Sequence, residues 1–561
     1  MLIECVPNFS EGNDLAIIDQ ITKQIQSVSG VMLLNVDPGK STNRTVITMV
    51  GHPEKVIEAA FRAIQKAGEL IDMRKHHGTH PRMGATDVCP LIPISGITMS
   101  ETVAYARRLA ERVGDKLELP VYLYGEAQPD RNRDKLSIIR AGEYEGFFEK
   151  IKTPQWKPDF GPAVFDPQRG ATVIGARDFL VAFNVNLNTT SVRRANAIAY
   201  DVREVGRPKR KGDILTGPIA TDTQGNPLFI PGSLKAVQAI GWFIKEYQVA
   251  QISMNLTNLS ITPVHIAFDE VCKKALERGI RVTGSELVGL IPLQSILEAG
   301  KYFLQKQQRS CGVSEKELIN IAIKSMGLNE LGPFNPNERI IEYLLKVKHV
   351  EELTRESLAD FADKTSSENP APGGGSVTAY VGSLAIALGT MVANLSAHKK
   401  GWDDRWEEFS KWAEKGQHLK EELLHLVDAD TQSFNQVMEA MTLPKETKEE
   451  MAIRLSAIQI ATRQAIEVPF RVMQTTLQGM EIIQAMAIIG NPNSVSDAGV
   501  GAVCARSAIL GAFLNVRINA AGYDDKAYIA DIISKGKQIE DQAIKLEVSI
   551  LKVVHERINT L

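Results

Sequence analysis

Residues 327–337 read Gly327-Leu328-Asn329-Glu330-Leu331-Gly332-Pro333-Phe334-Asn335-Pro336-Asn337. Two Gly, two Pro and three Asn in eleven residues break both helical and strand periodicity, so a linker is predicted here. The chain changes character across it. Of 25 prolines, 20 precede residue 337 and five follow it. Proline lacks a backbone donor and stops helices, so long helices are expected only after the join.

The 561 residues are 44% hydrophobic and 23% charged. That is the profile of soluble globular proteins, and it excludes a wholly disordered, collagen-like or disulfide-scaffold chain. At roughly 150 residues per domain, three or four domains are expected. With 64 Lys and Arg against 67 Asp and Glu, the formal charge is −3, and no nucleic-acid partner is expected. Five cysteines (Cys5, Cys89, Cys272, Cys311, Cys504) are scattered without a CxxC pair. A zinc or disulfide framework is therefore not expected, and a reducing, cytoplasmic location fits. The N-terminus lacks the basic and then apolar pattern of a signal peptide. Residues 369–398 contain no Asp, Glu, Lys or Arg, and 377–397 have the length to cross a bilayer at about 20 residues. They are rich in Gly, Ala, Ser, Thr and Asn and lack flanking aromatic belts, so a tightly packed internal helix is expected and no membrane partner.

Upstream of the join, strand and helix patterns alternate. Apolar runs at 2–6, 31–36, 45–50 and 87–94 read as strands, and Leu15, Ile18, Ile21 and Ile25 and residues 53–64 as helices. The order β-α-β-β-α-β is the ferredoxin-like split unit. It recurs as 180–187, 191–205, 237–247, 251–257, 265–278 and 280–291. The fold expected is multidomain: two ferredoxin-like α/β subdomains over 1–178 and 179–326, a linker at 327–337, and an all-α helical bundle over 338–561. Ile340, Ile341, Leu344 and Leu345, then Leu419, Leu423, Leu426 and Val427, then Ile539, Ala543, Leu546 and Ile550 carry the helical spacing. Small-residue helices of this kind pack against partner subunits, so a homo-oligomer through the helical region is expected.

Four clusters carry chemistry. Residues 74–90 hold His76, His77 and His80 between Gly and Pro, in a loop joining helix to strand. Imidazole titrates near neutrality and can act as acid and base in one cycle. A polar surface loop is the alternative, and no ligand spacing supports a metal site. Asp87 either orients His80 or caps the strand. Lys40 and Arg44, with Arg82 in the loop above, suit carboxylate recognition, or form solvated turns. Gly373, Gly374, Gly375 and Ser376 open the uncharged helix; free N–H groups there bind an anion or carbonyl, or the glycines simply allow close packing. Nucleotide motifs fail, since no Lys follows and Thr378 stands where a final Gly is needed. Asp428 and Asp430 lie in an apolar helical pattern, where a raised carboxyl can move protons, or they mark a helix face touching solvent. A polar break at 490–498 contains Ser496-Asp497-Ala498 and is followed by Asn515, Arg517 and Asn519.

Three stretches, Cys5-Val6-Pro7-Asn8-Phe9-Ser10-Glu11-Gly12, His80-Pro81-Arg82-Met83-Gly84-Ala85, and Asp159-Phe160-Gly161-Pro162 followed by residues 170–176, resemble the glutamate formiminotransferase family over all of residues 1–326. The resemblance implies that His80 is the catalytic acid and base. It also implies a folate-binding stretch at Gly161, Pro162, Ala163, Val164, Phe165, Asp166, Pro167, Gln168, Arg169 and Gly170. Thr79 stands where the family often carries an acidic residue. The 370–377, 428–430 and 496–498 segments resemble formiminotetrahydrofolate cyclodeaminase, a family that includes methenyltetrahydrofolate cyclohydrolases, over roughly 338–545. This implies an Asp as proton acceptor, Asp430 with Asp428 as alternate, and folate seated by Gly373, Gly374, Gly375 and Ser376. Both halves on one chain resemble the bifunctional formiminotransferase-cyclodeaminase family of histidine breakdown. N-formimino-L-glutamate and tetrahydrofolate, possibly polyglutamylated, are then the implied substrates, with folate as co-substrate and no metal or nucleotide. Lys40, Arg44 and Arg82 are the candidates for binding the glutamate carboxylates. Formyl rather than formimino transfer with a cyclohydrolase second half, or a non-catalytic folate-binding scaffold, are the rival expectations.

Overall fold

The computed structural model describes residues 1–39, 43–78, 81–212, 217–245, 247–346, 353–369 and 371–560. The chain forms two compact units, Met1–Ser295 with Met326–Val347, and Ile296–Ser325 with Lys348–Leu561. The first is α/β and the second is helical.

The first unit opens with β1 (Leu2–Cys5), β2 (Asn8–Phe9), α1 (Leu15–Gln26), β3 (Val31–Gly39), β4 (Arg44–Gly51), α2 (Pro53–Leu70) and β5 (Thr86–Ser95). Asp14 caps α1 by accepting from the N–H groups of Ala16 and Ile17. Strands β1 and β2 are two pieces of one track between β4 and β5, interrupted at Val6-Pro7. After α3 (Met99–Leu117) the sheet gains β6 (Val121–Gly125), then, beyond α4 (Leu136–Arg140) and α5 (Glu143–Lys150), β7 (Thr172–Ala176). Strand β7 pairs parallel with both β5 and β6, completing a seven-stranded sheet. Sequence periodicity did not separate these last strands. The apolar core of one face joins β1, β4, β5, β6 and β7 to α1, α2 and α3.

A second sheet follows from β8 (Val181–Leu187), α6 (Val192–Val202), the short pair β9 (Arg207–Pro208) and β10 (Phe229–Ile230), then β11 (Val237–Ile244), β12 (Val249–Leu256), α7 (Val264–Leu276) and β13 (Val282–Val288). Its order is β11-β12-β8-β13, antiparallel throughout. Val181, Phe183, Val185 and Leu187 are buried, as are Ala250, Ile252, Met254 and Leu256, so alternate residues of β8 and β12 line one covered face.

Two expected boundaries move. Residues 296–325 fall in the expected second α/β subdomain, yet they form α8 (Leu293–Lys306) and α9 (Glu315–Met326) and cluster with the helical unit. The turn between them docks there: Cys311 donates its N–H to Ser410 Oγ at 3.0 Å, and Gly312 O accepts from Asn394 and Gln417 at 2.8 and 3.1 Å. The expected linker is packed rather than free. Gly327 O accepts from Ser285 N–H at 3.1 Å, and after α10 (Pro336–Arg339) Ile340 bridges Ile291 before α11 (Ile341–Lys346). Ile340 and Ile341 are fully buried, so 338–346 complete the α/β unit rather than start the bundle.

The helical unit continues with α12 (Leu358–Ser366), α13 (Gly374–Ala397), α14 (Trp406–Thr442), α15 (Lys448–Ile489), α16 (Val495–Ala520) and α17 (Lys526–Ile558). Helix α13 and residues 492–520 are long and apolar enough to cross a membrane, and their most apolar windows are 56% and 50% buried in the bundle. Close packing explains their composition: a Cβ on Gly479 would lie 2.3 Å from Ile386, and one on Gly501 3.0 Å from Ala385 O. Pro469 sits inside α15, where it cannot donate to Ala465 O. Asn519 of α16 supplies that donor, its Nδ2 reaching Ala465 O at 2.7 Å.

Candidate functional site

In the first unit, segments far apart in sequence fix residues 76–78 and 81–85. Ser10 donates its Oγ to Gly84 O at 2.7 Å and its N–H to Ala85 O at 2.9 Å. Ala85 N–H donates to Arg169 O at 2.8 Å, and Ala171 N–H to Met83 O at 3.1 Å. The approach leaves no room for a Cβ: one on Gly84 would lie 2.3 Å from Ala171 O, and one on Gly170, at φ +70°, 2.2 Å from Met83 O. Asn43, left-handed at φ 47°, accepts the Gly12 N–H at 3.0 Å and donates to His77 O at 3.0 Å. The segments carrying Gly12, Asn43 and Gly170 thus meet around the loop. His80 and Lys40, predicted at this site, lie outside the described residues.

Arg82 proves to be a brace. Its Nε donates to His76 Nδ1 at 3.2 Å, which fixes the neutral ring's proton on Nε2, and Nε2 donates to Asn43 O at 2.8 Å. Its guanidinium reaches Glu143 at 3.0 Å and Glu145 at 2.9 and 2.5 Å. Burial alone would lower the guanidinium's pKa, but the two glutamates outweigh it and hold it above the usual value. Arg82, 6% exposed, is therefore committed to its own chain rather than to a substrate carboxylate. Asp87 is fully buried; burial pushes its carboxyl up against the pull of Arg140, with which it pairs. It also accepts the Met83 N–H at 3.0 Å, so it anchors the turn. Arg44 is half-buried; burial lowers its guanidinium, opposed by the charges of Asp87 and Asp37.

A cavity of about 940 Å³ opens beside this loop, lined by Pro81, Lys135, Arg140 and Glu143 and, from the second sheet, Gln238 and Thr257. Lys135 and Arg140 are cations that sequence reasoning missed. The predicted folate stretch behaves in two parts. Its end, Arg169-Gly170, is paired with the loop. Its middle, with Gly161, Pro162, Val164, Phe165 and Asp166, lines a separate cavity of about 730 Å³ with residues of α3. Asp166 accepts the N–H groups of Gln168 and Arg169, both at 2.9 Å. Burial would raise its carboxyl, but these bonds and the Arg169 side chain hold it low. Asn8 is a further missed residue: it is 4% exposed, and its Oδ1 has no partner among the described residues.

In the helical unit, α14 presents Asp430 to the first turn of α13. Ser376 Oγ donates to Asp430 Oδ2 at 2.9 Å and lies 3.2 Å from Thr431 Oγ1. A Cβ on Gly375 would sit 2.0 Å from Asp430 Oδ1, so glycine makes room for the carboxylate. Burial raises the Asp430 carboxyl, only partly offset by the hydrogen bonds of Ser376. Asp428 is spent otherwise, accepting Leu353 N–H at 2.8 Å and Thr354 Oγ1 at 3.0 Å. Asn515 of α16 lies beside Gly374. Helix α16 runs antiparallel to α13, with Gly511 against Thr378 and Gly501 against Ala385. Ser496-Asp497-Ala498 therefore lies about 27 Å along the helix from Asn515 and is not brought to Asp430. Among the described residues no group of three His, Cys, Asp or Glu is arranged to hold a metal.

Comparison with known proteins finds relatives for both units of the chain. The family model for the formiminotransferase domain, N-terminal subdomain, matches residues 2–177; that for the formiminotransferase domain matches 182–346; and that for formiminotransferase-cyclodeaminase matches 357–538. A formimidoyltransferase-cyclodeaminase of Mus musculus is 42% identical over 94% of both chains. One of Gallus gallus is 40% identical over 99% of both. A glutamate formimidoyltransferase of Thermoplasma acidophilum is 42% identical over 54% of this chain and 92% of its own. With its two sites carried by an α/β unit and a helical unit, the chain belongs to the formimidoyltransferase-cyclodeaminase family.

Proposed function

We propose that the chain is a bifunctional folate enzyme that runs two consecutive steps on one carbon. In the first, N5 of tetrahydrofolate attacks the formimino carbon of N-formimino-L-glutamate. N5 loses its proton, the glutamate nitrogen gains one, and L-glutamate leaves. One imidazole serves both transfers, and His80 is the group assigned to them. Arg44, with Lys40, is retained for the glutamate carboxylates. Arg82 is reassigned to positioning His76 and the loop. Holding both substrates in one cleft supplies much of the rate. The α/β unit is read as two ferredoxin-like subdomains, a reading favoured by the strand orders β3-β4-β1-β5 and β11-β12-β8-β13.

In the second step N10 attacks the same carbon of 5-formiminotetrahydrofolate. Ammonia leaves and 5,10-methenyltetrahydrofolate remains. Asp430 takes the N10 proton, and the open N–H groups at Gly373, Gly374 and Gly375 help seat the folate. One observation carries this assignment: Asp430 faces Ser376 with a raised carboxyl, whereas Asp428 is consumed by the 353–355 turn. No metal or nucleotide enters either step. We also read the protein as a cytoplasmic homo-oligomer. The exposed Leu384, Met391 and Leu395 of α13 and Val500, Val503, Leu514 and Ile518 of α16 are apolar surface suited to a second copy.

The test supplies tetrahydrofolate with N-formimino-L-glutamate or N-formyl-L-glutamate and follows glutamate and ammonia together. Equimolar glutamate and ammonia from the formimino substrate is expected. Turnover of the formyl substrate alone, or folate binding with no product, overturns the reading.

A further inference from the structure

Three polar residues stand near the end of α16, and the packing accounts for two of them. Asn519 donates to Ala465 O, the carbonyl that Pro469 leaves without its helical donor. Arg517 is exposed, its guanidinium 5.9 Å from the centre of the Phe513 ring. Asn515 is different. Its Nδ2 donates to Gly511 O at 3.0 Å, one turn back in its own helix, so the bond ties no second element down. Asn is a poor residue for a helix interior, and such a bond back to the same helix does not improve it. The bond does tell the two amide atoms apart, since only the nitrogen can face a carbonyl. Asn515 Oδ1 receives no hydrogen bond among the described residues.

This side chain sits at the start of α13. A Cβ on Gly374 would lie 3.4 Å from Asn515 Nδ2 and 3.5 Å from Asn515 Oδ1, and one on the next residue, Gly375, would lie 2.0 Å from Asp430 Oδ1. The two glycines are neighbours, with Cα atoms about 3.8 Å apart, and they face directions about 100° apart around the helix. Asn515 and Asp430 therefore approach one helix start from two sides. Both are half-buried, and Gly374 is exposed. A folate seated there meets a carboxylate on one side and a neutral, unpartnered oxygen on the other. The second step has a use for each. N10 must give up its proton, which a carboxylate can take. The formimino nitrogen must keep its hydrogens until it leaves, and an amide oxygen accepts a hydrogen bond without removing the proton.

We propose that Asn515 Oδ1 accepts a hydrogen bond from the formimino nitrogen in the second step, and so selects a formimino over a formyl substrate there. This rests on the reading of the helical unit as a cyclodeaminase. As the bond from N10 to carbon forms, the C=N bond becomes single and the N10 proton passes to Asp430. Asp430 hands that proton to the nitrogen held by Asn515. The bond from carbon to this nitrogen then breaks, ammonia leaves, and the N5–C–N10 cation remains. A formyl group puts an oxygen without hydrogen in the same place, where it faces Asn515 Oδ1 acceptor to acceptor.

The experiment compares the wild-type chain with Asn515→Leu and Asn515→Asp. Ammonia release from supplied 5-formiminotetrahydrofolate gives kcat/KM, and 5-formyltetrahydrofolate added to the same assay gives an inhibition constant for the oxygen analogue. Asn515→Leu is expected to lose roughly 10- to 100-fold in kcat/KM, the size of a lost hydrogen bond to a charged group. Its inhibition constant for the formyl analogue should stay nearly unchanged or fall. Asn515→Asp, which keeps an acceptor oxygen, should recover most of the lost turnover. Equal losses towards both folates in Asn515→Leu would make Asn515 a wall of the site and overturn the proposal. So would unchanged turnover, or an Asn515→Asp variant no better than Asn515→Leu. Melting curves identify misfolded variants. If the wild type releases no ammonia, the cyclodeaminase reading fails by itself. Equilibrium binding of the two folates to wild type and Asn515→Leu then still decides the selectivity: a loss confined to the formimino compound supports it, and equal binding overturns it.

Discussion

Asp430 meets Ser376 through one contact between two helices, whereas residues 81–85 and the backbone at His77 are held by segments as distant as Gly12 and Gly170. In the helical site the decisive neighbours are side chains. In the loop site they are backbone groups, paired so closely that glycine is compulsory at 84 and 170. A carboxylate on a helix can shift by a rotamer, but a backbone pairing has no such slack. The first site is tolerant in fold and sensitive in chemistry, and the second is sensitive in both.

The sharpest test of that contrast is a pair of glycine substitutions. Gly84→Val drives a side chain into Ala171 O. It is expected to cost more than about 3 kcal/mol in the α/β unit and to abolish transfer, while cyclodeamination survives. Gly375→Ala meets first the Asp430 carboxylate, a side chain that can turn aside. It is expected to leave melting within a few degrees of wild type and to cut cyclodeamination by roughly 100-fold. Calorimetry and separate assays of the two reactions read both. Equal unfolding by the two substitutions would erase the distinction.

Next in size is Asp428→Ala. Losing the acceptor for Leu353 N–H and Thr354 Oγ1 is expected to cost about 1 kcal/mol, with cyclodeamination within tenfold of wild type. A loss beyond that in a folded variant would transfer the proton-acceptor role to Asp428.

An effect that shows only as pH changes concerns Glu4 on β1, whose carboxyl burial pushes up to about 7, against the pull of Arg177. Between its ordinary value of 4.5 and about 7, the folded chain keeps a proton that the unfolded chain releases, so the α/β unit loses stability as pH rises through that window. Glu4→Gln should leave melting unchanged at pH 4 and raise stability at pH 8 by on the order of 3 kcal/mol. A destabilising effect at pH 8 would mean that the ionised carboxylate has a stabilising partner.

The parts legible in the sequence are those with a short-range signal. Alternation gave the strands of the second sheet to within a few residues, and proline distribution gave the change from α/β to helix. Strands β6 and β7 escaped because nearly every residue is buried, so neither alternates. The 327–337 stretch has the composition of a linker, but its turns are fixed by Ser285 and Asn186, which no local pattern reveals. Arg82 has the look of a carboxylate clamp, and its true partners stand 61 and 63 residues later. Asp428 and Asp430, two apart, point to different sides of α14. Which side faces α13 depends on packing that only the fold supplies.

The claim on which all of this depends is that one chain holds two separable proton relays. His80→Ala and Asp430→Asn, each assayed for transfer to tetrahydrofolate and for ammonia release from supplied 5-formiminotetrahydrofolate, test it directly. His80→Ala should lose transfer by at least about 100-fold and keep ammonia release, and Asp430→Asn should do the reverse while melting no lower than wild type. Loss of both reactions in either variant, with the fold intact, would contradict the account.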